Sequence, residues 1–165
     1  MYAIVAVGCH WGIGKDGRLL FSLLGDLKRF RALTSGGTVV MGRKTLESFP
    51  CGRPLPKRRN LVLSSQRIEV PGTEWFQTLD TLCAAAAQDD PAHVFVIGGG
   101  SVYAALLSNC THAFLTKVDA AAEAPDTWFP NLDALPEWEM DHISDPVTEN
   151  GVTYQFLDYV NLSRL

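Results

Sequence analysis

Val94-Phe95-Val96-Ile97-Gly98-Gly99-Gly100-Ser101-Val102-Tyr103 runs from four apolar residues into three glycines and then into a segment of helical character. The apolar run, rich in β-branched and aromatic side chains, has the composition of a buried strand. Glycines let a ligand approach the backbone closely, and the N–H groups at the start of the following helix suit a phosphate. A tight strand-to-helix turn without a ligand fits the same residues. The segment is not G-x-G-x-x-G. Nor is it the G-x-S-x-G elbow of a serine nucleophile, because Tyr103 stands where the last glycine belongs.

Outward from this turn, further short apolar runs read as strands at Ala3–Val7, Thr38–Met41, Asn60–Ser64, His93–Ile97 and Ala113–Val118. Helical segments are expected at Leu24–Leu33, at Thr78–Gln88 with Thr78 as N-cap, and after Gly100. Alternating strands and helices imply an α/β fold with a mostly parallel sheet. Trp138–Ile143 and Val152–Val160 read as an antiparallel pair at one edge, with Glu149-Asn150-Gly151 supplying a hairpin turn. No repeat or linker divides the 165 residues, so one domain over 1–165 is expected.

Composition narrows the function classes. A net charge of −4 disfavours nucleic acid as main partner, and no apolar stretch is long enough to span a bilayer. The first residues lack the basic flank and length of a signal peptide, and the four cysteines show no C-x-x-C spacing. The four histidines are scattered without metal-ligand spacing, so no metal is assigned. A cytoplasmic protein is expected.

Gly37-Thr38-Val39-Val40-Met41-Gly42-Arg43-Lys44-Thr45 nearly spells a phosphate-binding P-loop, but Arg43 interrupts the required G-K-[ST]. What remains is a strand followed by cations at a helix start, suited either to an anion or to solvent. Leu63-Ser64-Ser65-Gln66 offers hydroxyls after the next strand. Asp26 lies on the border of an apolar helix face with Leu23, Leu27 and Phe30, either complementing the helix dipole or acting as a half-buried acid with a raised pKa. Arg53-Pro54-Leu55-Pro56-Lys57-Arg58-Arg59 is a stiffened basic loop that either clamps a carboxylate or is simply solvated.

In order, these segments resemble the dihydrofolate reductase family. The resemblance rests on Ile13-Gly14, Asp26-Leu27-x-x-Phe30, Val40 to Thr45, Glu47-Ser48, Gly52 to Pro56, Arg58-x-Asn60 and Leu63 to Gln66. It continues through Val96 to Gly100, Val102-Tyr103, Leu115-Thr116 and Phe129-Pro130. It implies one domain with an eight-stranded sheet, an antiparallel C-terminal hairpin and about four helices. It also implies NADPH-dependent reduction of 7,8-dihydrofolate to tetrahydrofolate, by hydride transfer to C6 and protonation at N5, in one-carbon metabolism. Antifolate inhibitors are expected ligands, and a monomer is the expected state.

By the same resemblance, Asp26 binds the pterin with Thr116 supporting it, while Ile4, Val5 and Ile97 line the pterin pocket through backbone and side chain. Leu27, Phe30, Phe49 and Leu55 enclose the aminobenzoyl ring, and Arg58 takes the glutamate carboxylate. Gly98, Gly99, Gly100, Ser101 and Val102 cradle the pyrophosphate, and Tyr103 sits against the nicotinamide. Ala6, Ile13 and Gly14 complete the cofactor wall. Gly42, Arg43, Lys44, Thr45, Leu63, Ser64 and Ser65 hold the adenosine end and its 2′-phosphate. Cys9–Ser22 forms a mobile lid bringing Leu19 and Phe21 to the reaction.

The chain departs from the family pattern at several points. Leu20-Phe21 stands in place of a common Pro-Trp, removing an indole N–H. Leu24 replaces a frequent proline, Leu19 a frequent methionine, and Gln77 a residue that is basic in some relatives. A reductase of another pterin or of a pyrimidine, and a non-catalytic NADP-binding module, remain the competing readings.

Overall fold

β1 (Tyr2–Val7) takes its apolar run through the middle of the molecule, with parallel neighbours on both sides. This computed structural model describes residues 1–121 and 124–165. After β1 come β2 (Gly12–Lys15), β3 (Arg18–Leu19), α1 (Leu24–Thr34), β4 (Thr38–Gly42), α2 (Arg43–Ser48), β5 (Arg59–Leu63) and β6 (Thr73–Phe76). The second half holds α3 (Leu79–Ala86), β7 (Val94–Gly98), α4 (Gly100–Leu106), β8 (His112–Val118), β9 (Thr127–Trp128), β10 (Trp138–Ile143), β11 (Val147–Glu149) and β12 (Val152–Asn161).

Eight strands follow one path, β10-β12-β8-β1-β7-β4-β5-β6. Pairings from β8 through β6 are parallel, and β12 is antiparallel to β8 and β10. This is the single α/β domain expected. Side-chain alternation along the strands separates two apolar layers. Val39, Met41 and Val62 face one side with Leu46, Phe49, Leu55 and Ile97. Val40, Leu61, Val94 and Val96 face the other with Leu82 and Leu106. Burying each such aliphatic side chain contributes roughly 1.5–3 kcal/mol.

Several elements differ from expectation. β6 is an added parallel edge strand, tied to its neighbour by Trp75 Nε1 donating to the Ser64 carbonyl at 2.9 Å. The Asn150-Gly151 turn joins β11, not β10, to β12; both share the outer edge of β12. Thr78 caps α3 as expected, accepting from the Thr81 N–H at 3.3 Å, but the helix ends at Ala86 and not at Gln88, because the residues after it form a turn. The segment expected as a mobile lid contains strand: β3, β2 and β9 form a separate three-stranded sheet.

Candidate active site

The carboxyl ends of parallel strands gather backbone groups that the ladder no longer uses, and ligands of open α/β sheets bind there. Here those ends belong to β1, β4, β5, β7 and β8, with α1 lying beside β8.

Asp26 sits in the first turn of α1, where its charge complements the helix dipole. The Thr116 hydroxyl of β8 donates to Asp26 Oδ1 at 2.6 Å. Burial holds the Asp26 carboxyl above its usual range; the Thr116 bond and Arg29 oppose the rise, and Glu149 adds to it. Three residues on, Arg29 pins α1 to the sheet. It donates to the Leu115 carbonyl at 3.2 Å, pairs with Asp158, and lies over the Phe156 ring 4.6 Å from its centre. Val5 pairs in register with Leu115, and Ala6 with Thr116. Val5 and Thr116 therefore lie on adjacent rungs of one ladder.

Ile4 is buried, and its carbonyl accepts a 2.7 Å hydrogen bond from the Tyr103 hydroxyl. Burial raises the Tyr103 phenol, with Asp26 the next cause, so these two groups share one electrostatic environment. Ile97, Phe49 and Leu55 pack in one cluster. Facing solvent on α1 is Leu27, 45% exposed, and Phe30 carries the Arg58 guanidinium 6.0 Å from its ring centre. Arg58 is further held by Thr34 Oγ1 at 3.0 Å and the Pro56 carbonyl at 2.9 Å.

The two cation- and glycine-bearing turns lie against each other. A Cβ on Gly98 would come 3.3 Å from the Tyr103 ring and 3.5 Å from Thr45 Oγ1, and Gly98 has φ +122°, where L side chains rarely go. A Cβ on Gly42 would meet Val102 at 3.2 Å, and one on Gly100 would meet Thr127 of β9 at 2.5 Å. Leu63 pairs with Gly42 across β4 and β5, carrying Ser64 to the same end of the sheet. Ser64 is buried, with its hydroxyl accepting from the Gln66 N–H, while Ser65, Ser101 and Lys44 are exposed. Arg43 pairs with Glu47 one turn along α2 at 2.7 Å.

The lid closes on this junction. Asp126 accepts from the Asp16 N–H at 2.8 Å, and its own N–H donates to the Gly14 carbonyl at 3.0 Å. Ile13 is buried, Trp11 stacks on Phe129, and Lys117 Nζ lies 3.8 Å from the Trp11 ring centre. Phe21 packs with Leu23, Val118 and Tyr154, and a Cβ on Gly8, just after β1, would lie 3.4 Å from its ring. Leu19 is 78% exposed on β3, whose two residues both face solvent.

Among the described residues no cluster of His, Cys, Asp and Glu has metal-site geometry, and no helix is long and apolar enough to cross a membrane. A 530 Å³ depression lined by Gly36, Lys57, Arg59, Asp89 and His93 lies at the opposite, amino-terminal ends of β4, β5 and β7. Arg59 pairs there with Glu74 and Asp89, and His93 with Asp90. Sequence reasoning missed Glu149 and Asp126, which act on α1 and the lid from the end of β11 and from the segment before β9; each looks like an ordinary turn acid.

Comparison with known proteins follows the same outline. The dihydrofolate reductase family model matches residues 1–161. The dihydrofolate reductase of Haemophilus influenzae is 38% identical over 138 residues, covering 84% of this chain and 82% of the relative. Dihydrofolate reductase type 3 of Salmonella typhimurium is 39% identical over 153 residues, covering 92% and 90%. Among solved structures, a dihydrofolate reductase from Enterococcus faecalis complexed with NADP(H) and RAB-propyl superposes with a TM-score of 0.85 at 32% identity. That match covers 96% of this chain and 94% of the other.

Proposed function

Because the chain belongs to the dihydrofolate reductase family, we propose that one wall of its cleft holds the pterin and the other the dinucleotide. The chain catalyses NADPH-dependent reduction of 7,8-dihydrofolate to 5,6,7,8-tetrahydrofolate. The observation that carries the division of roles is the half-buried Asp26 carboxylate, bonded to Thr116 at 2.6 Å and within electrostatic reach of Tyr103 beside the triple-glycine turn.

The residues present fit the cofactor. Gly42, Gly98 and Gly100 leave backbone open where a Cβ would fill the cradle, and Thr45 brings a hydroxyl to it. Gly98, Gly99, Gly100, Ser101 and Val102 hold the pyrophosphate; Arg43, Lys44, Thr45, Ser64 and Ser65 hold the adenosine end and its extra phosphate. Ala6, Ile13, Gly14 and Tyr103 complete the wall on the nicotinamide side. When bound, NADPH supplies the hydride that reaches C6 of the pterin as N5 gains a proton.

Asp26 accepts hydrogen bonds from the pterin amino group and N3, and its raised pKa keeps a proton available to higher pH. Thr116 fixes its rotamer. The Ile4 and Ile97 carbonyls border the ring. Leu27, Phe30, Phe49 and Leu55 enclose the aminobenzoyl group, and Arg58, pre-aimed by Thr34 and Pro56, takes the tail carboxylate. Phe21 packs beside the end of β1, and Asp126 holds the lid over the junction to exclude water. The chain works as one domain over residues 1–165, as a monomer in the cytoplasm, and antifolates compete for the pterin wall.

The test is NADPH oxidation followed by absorbance, with and without dihydrofolate and with NADH in parallel. Oxidation that depends on dihydrofolate and prefers NADPH is expected. NADPH binding without oxidation would leave only a silent binding module.

A further inference from the structure

The helix that carries Asp26 has no cap of its own. Leu23, at its N-cap position, has an aliphatic side chain, so the first N–H groups of α1 have no local acceptor. Their partner comes from the far end of the chain. Glu149, at the close of β11, accepts from the Leu24 N–H at 2.7 Å through Oε2 and from the Gly25 N–H at 3.0 Å through Oε1. A second feature fits the hairpin to the same turn: a Cβ on Gly25 would lie 2.0 Å from the Tyr154 hydroxyl of β12, so only glycine lets α1 start so close. The following residue is Asp26.

We propose that Glu149 is a positioning residue for Asp26, clamping the first turn of α1 to the C-terminal hairpin and thereby fixing the direction and electrostatic surroundings of the catalytic carboxylate. The inference rests on the assignment of Asp26 to the pterin. The groups that face Asp26 are Arg29 on its own helix, Thr116 on β8, Tyr103 on α4, Tyr154 on β12 and Glu149 on β11. Arg29 and Asp158 anchor the next turn of α1 to the sheet, so the helix is held at two points and Glu149 governs the one at the active end. The two N–H groups hold the Glu149 carboxyl below its usual range and so favour its ionised form. Its charge then opposes ionisation of Asp26, and it also offsets the positive end of the helix dipole there.

The test compares Glu149→Gln with wild type by single-turnover hydride transfer across pH. The variant keeps one acceptor and loses the charge. The midpoint of the pH–rate profile is expected to fall by about half a unit or more, lowering the neutral-pH rate roughly two- to fivefold, with NADPH Kd unchanged. A profile superimposable on wild type overturns the proposal, because a merely structural cap changes the unfolding midpoint and not the titration. Leu24→Pro supplies a second variant, since proline suits the first helical position but has no N–H. In a double-mutant cycle, Glu149→Ala should cost less in the Leu24→Pro background; additive effects would show that no clamp exists. Asp26→Asn, run alongside, separates the two levels. If it leaves the rate intact, the assignment of Asp26 falls and this inference with it. If it abolishes turnover while Glu149→Gln shifts nothing, only the role of Glu149 falls.

Discussion

The Thr116 hydroxyl donates to Asp26 Oδ1 at 2.6 Å, joining residues 90 apart in the chain. Thr116 is 2% exposed, so the contact is sealed on the sheet side and open only toward the cleft. A hydroxyl that donates to a carboxylate favours its ionised form, whereas burial favours the neutral one. Burial is the larger influence, and the carboxyl ends above its ordinary value. A group so balanced responds to a bound ligand, which alters both the burial and the bonding.

Asp26→Asn removes the proton-holding carboxyl while preserving its shape. Turnover at neutral pH should fall about 10²- to 10⁴-fold, the span of a lost acid–base contribution, while NADPH Kd is unchanged. Stability moves the other way. The folded-state pKa of Asp26 lies above its ordinary 3.8, so the folded protein binds the extra proton. That stabilisation is complete below the ordinary value and is lost as pH rises through the folded one. Urea midpoints of variant and wild type should therefore coincide at about pH 3 and below and separate in favour of the variant toward neutrality. An equal midpoint at neutral pH would mean that Asp26 ionises in the folded protein without penalty.

Thr116→Val keeps the volume and deletes the donated bond. One influence holding the Asp26 carboxyl down disappears, so its pKa should rise further. The descending limb of the pH–rate profile should move to higher pH, opposite in sign to the shift expected for Glu149→Gln. A shift in the same direction for both variants would show that disorder of the carboxylate, and not its electrostatics, governs the profile.

Arg58→Leu tests the tail clamp. Charge-assisted hydrogen bonds are worth about 1.5–3 kcal/mol, so the KM for dihydrofolate should rise roughly 10- to 100-fold with kcat little changed. Thr34 keeps its 2.8 Å bond to the Phe30 carbonyl, so its hydroxyl is not orphaned and the unfolding midpoint should barely move. An unchanged KM would place the clamp on another cation.

What the sequence displays and what it conceals follow from range. β1, β4, β5, β7 and β8 are apolar β-branched runs buried in the sheet, and their own composition identifies them. The triple-glycine turn is equally local. β6 is half-exposed, with Glu74 outward, and is a strand because β5 offers it an edge. β2, β3 and β9 are two to four residues long and exist through each other. Asp26 and Thr116 are single residues with ordinary local explanations, and the ordered family resemblance was needed to pair them. Glu149 reads as a turn residue until the fold brings it to Leu24.

Arg43 bears on the choice between NADPH and NADH. Its guanidinium is engaged by Glu47 at 2.7 Å, one helical turn away on α2 and half in solvent. A 2′-phosphate has to compete with that carboxylate. Exposed i,i+4 pairs are worth only about 0.3–0.5 kcal/mol, so a phosphate that approaches Arg43 has little to displace. Glu47→Ala should tighten NADPH binding about twofold and also relieve the repulsion between carboxylate and phosphate, with NADH affinity unchanged. Arg43→Ala should weaken NADPH roughly 10-fold or more and leave NADH nearly untouched, since only the former carries the anion. Fluorescence titrations of both nucleotides against both variants check the pair. Equal losses for NADPH and NADH in Arg43→Ala would assign Arg43 to the part of the dinucleotide that the two share, and the 2′-phosphate would then fall to Lys44 and the Ser64-Ser65 turn.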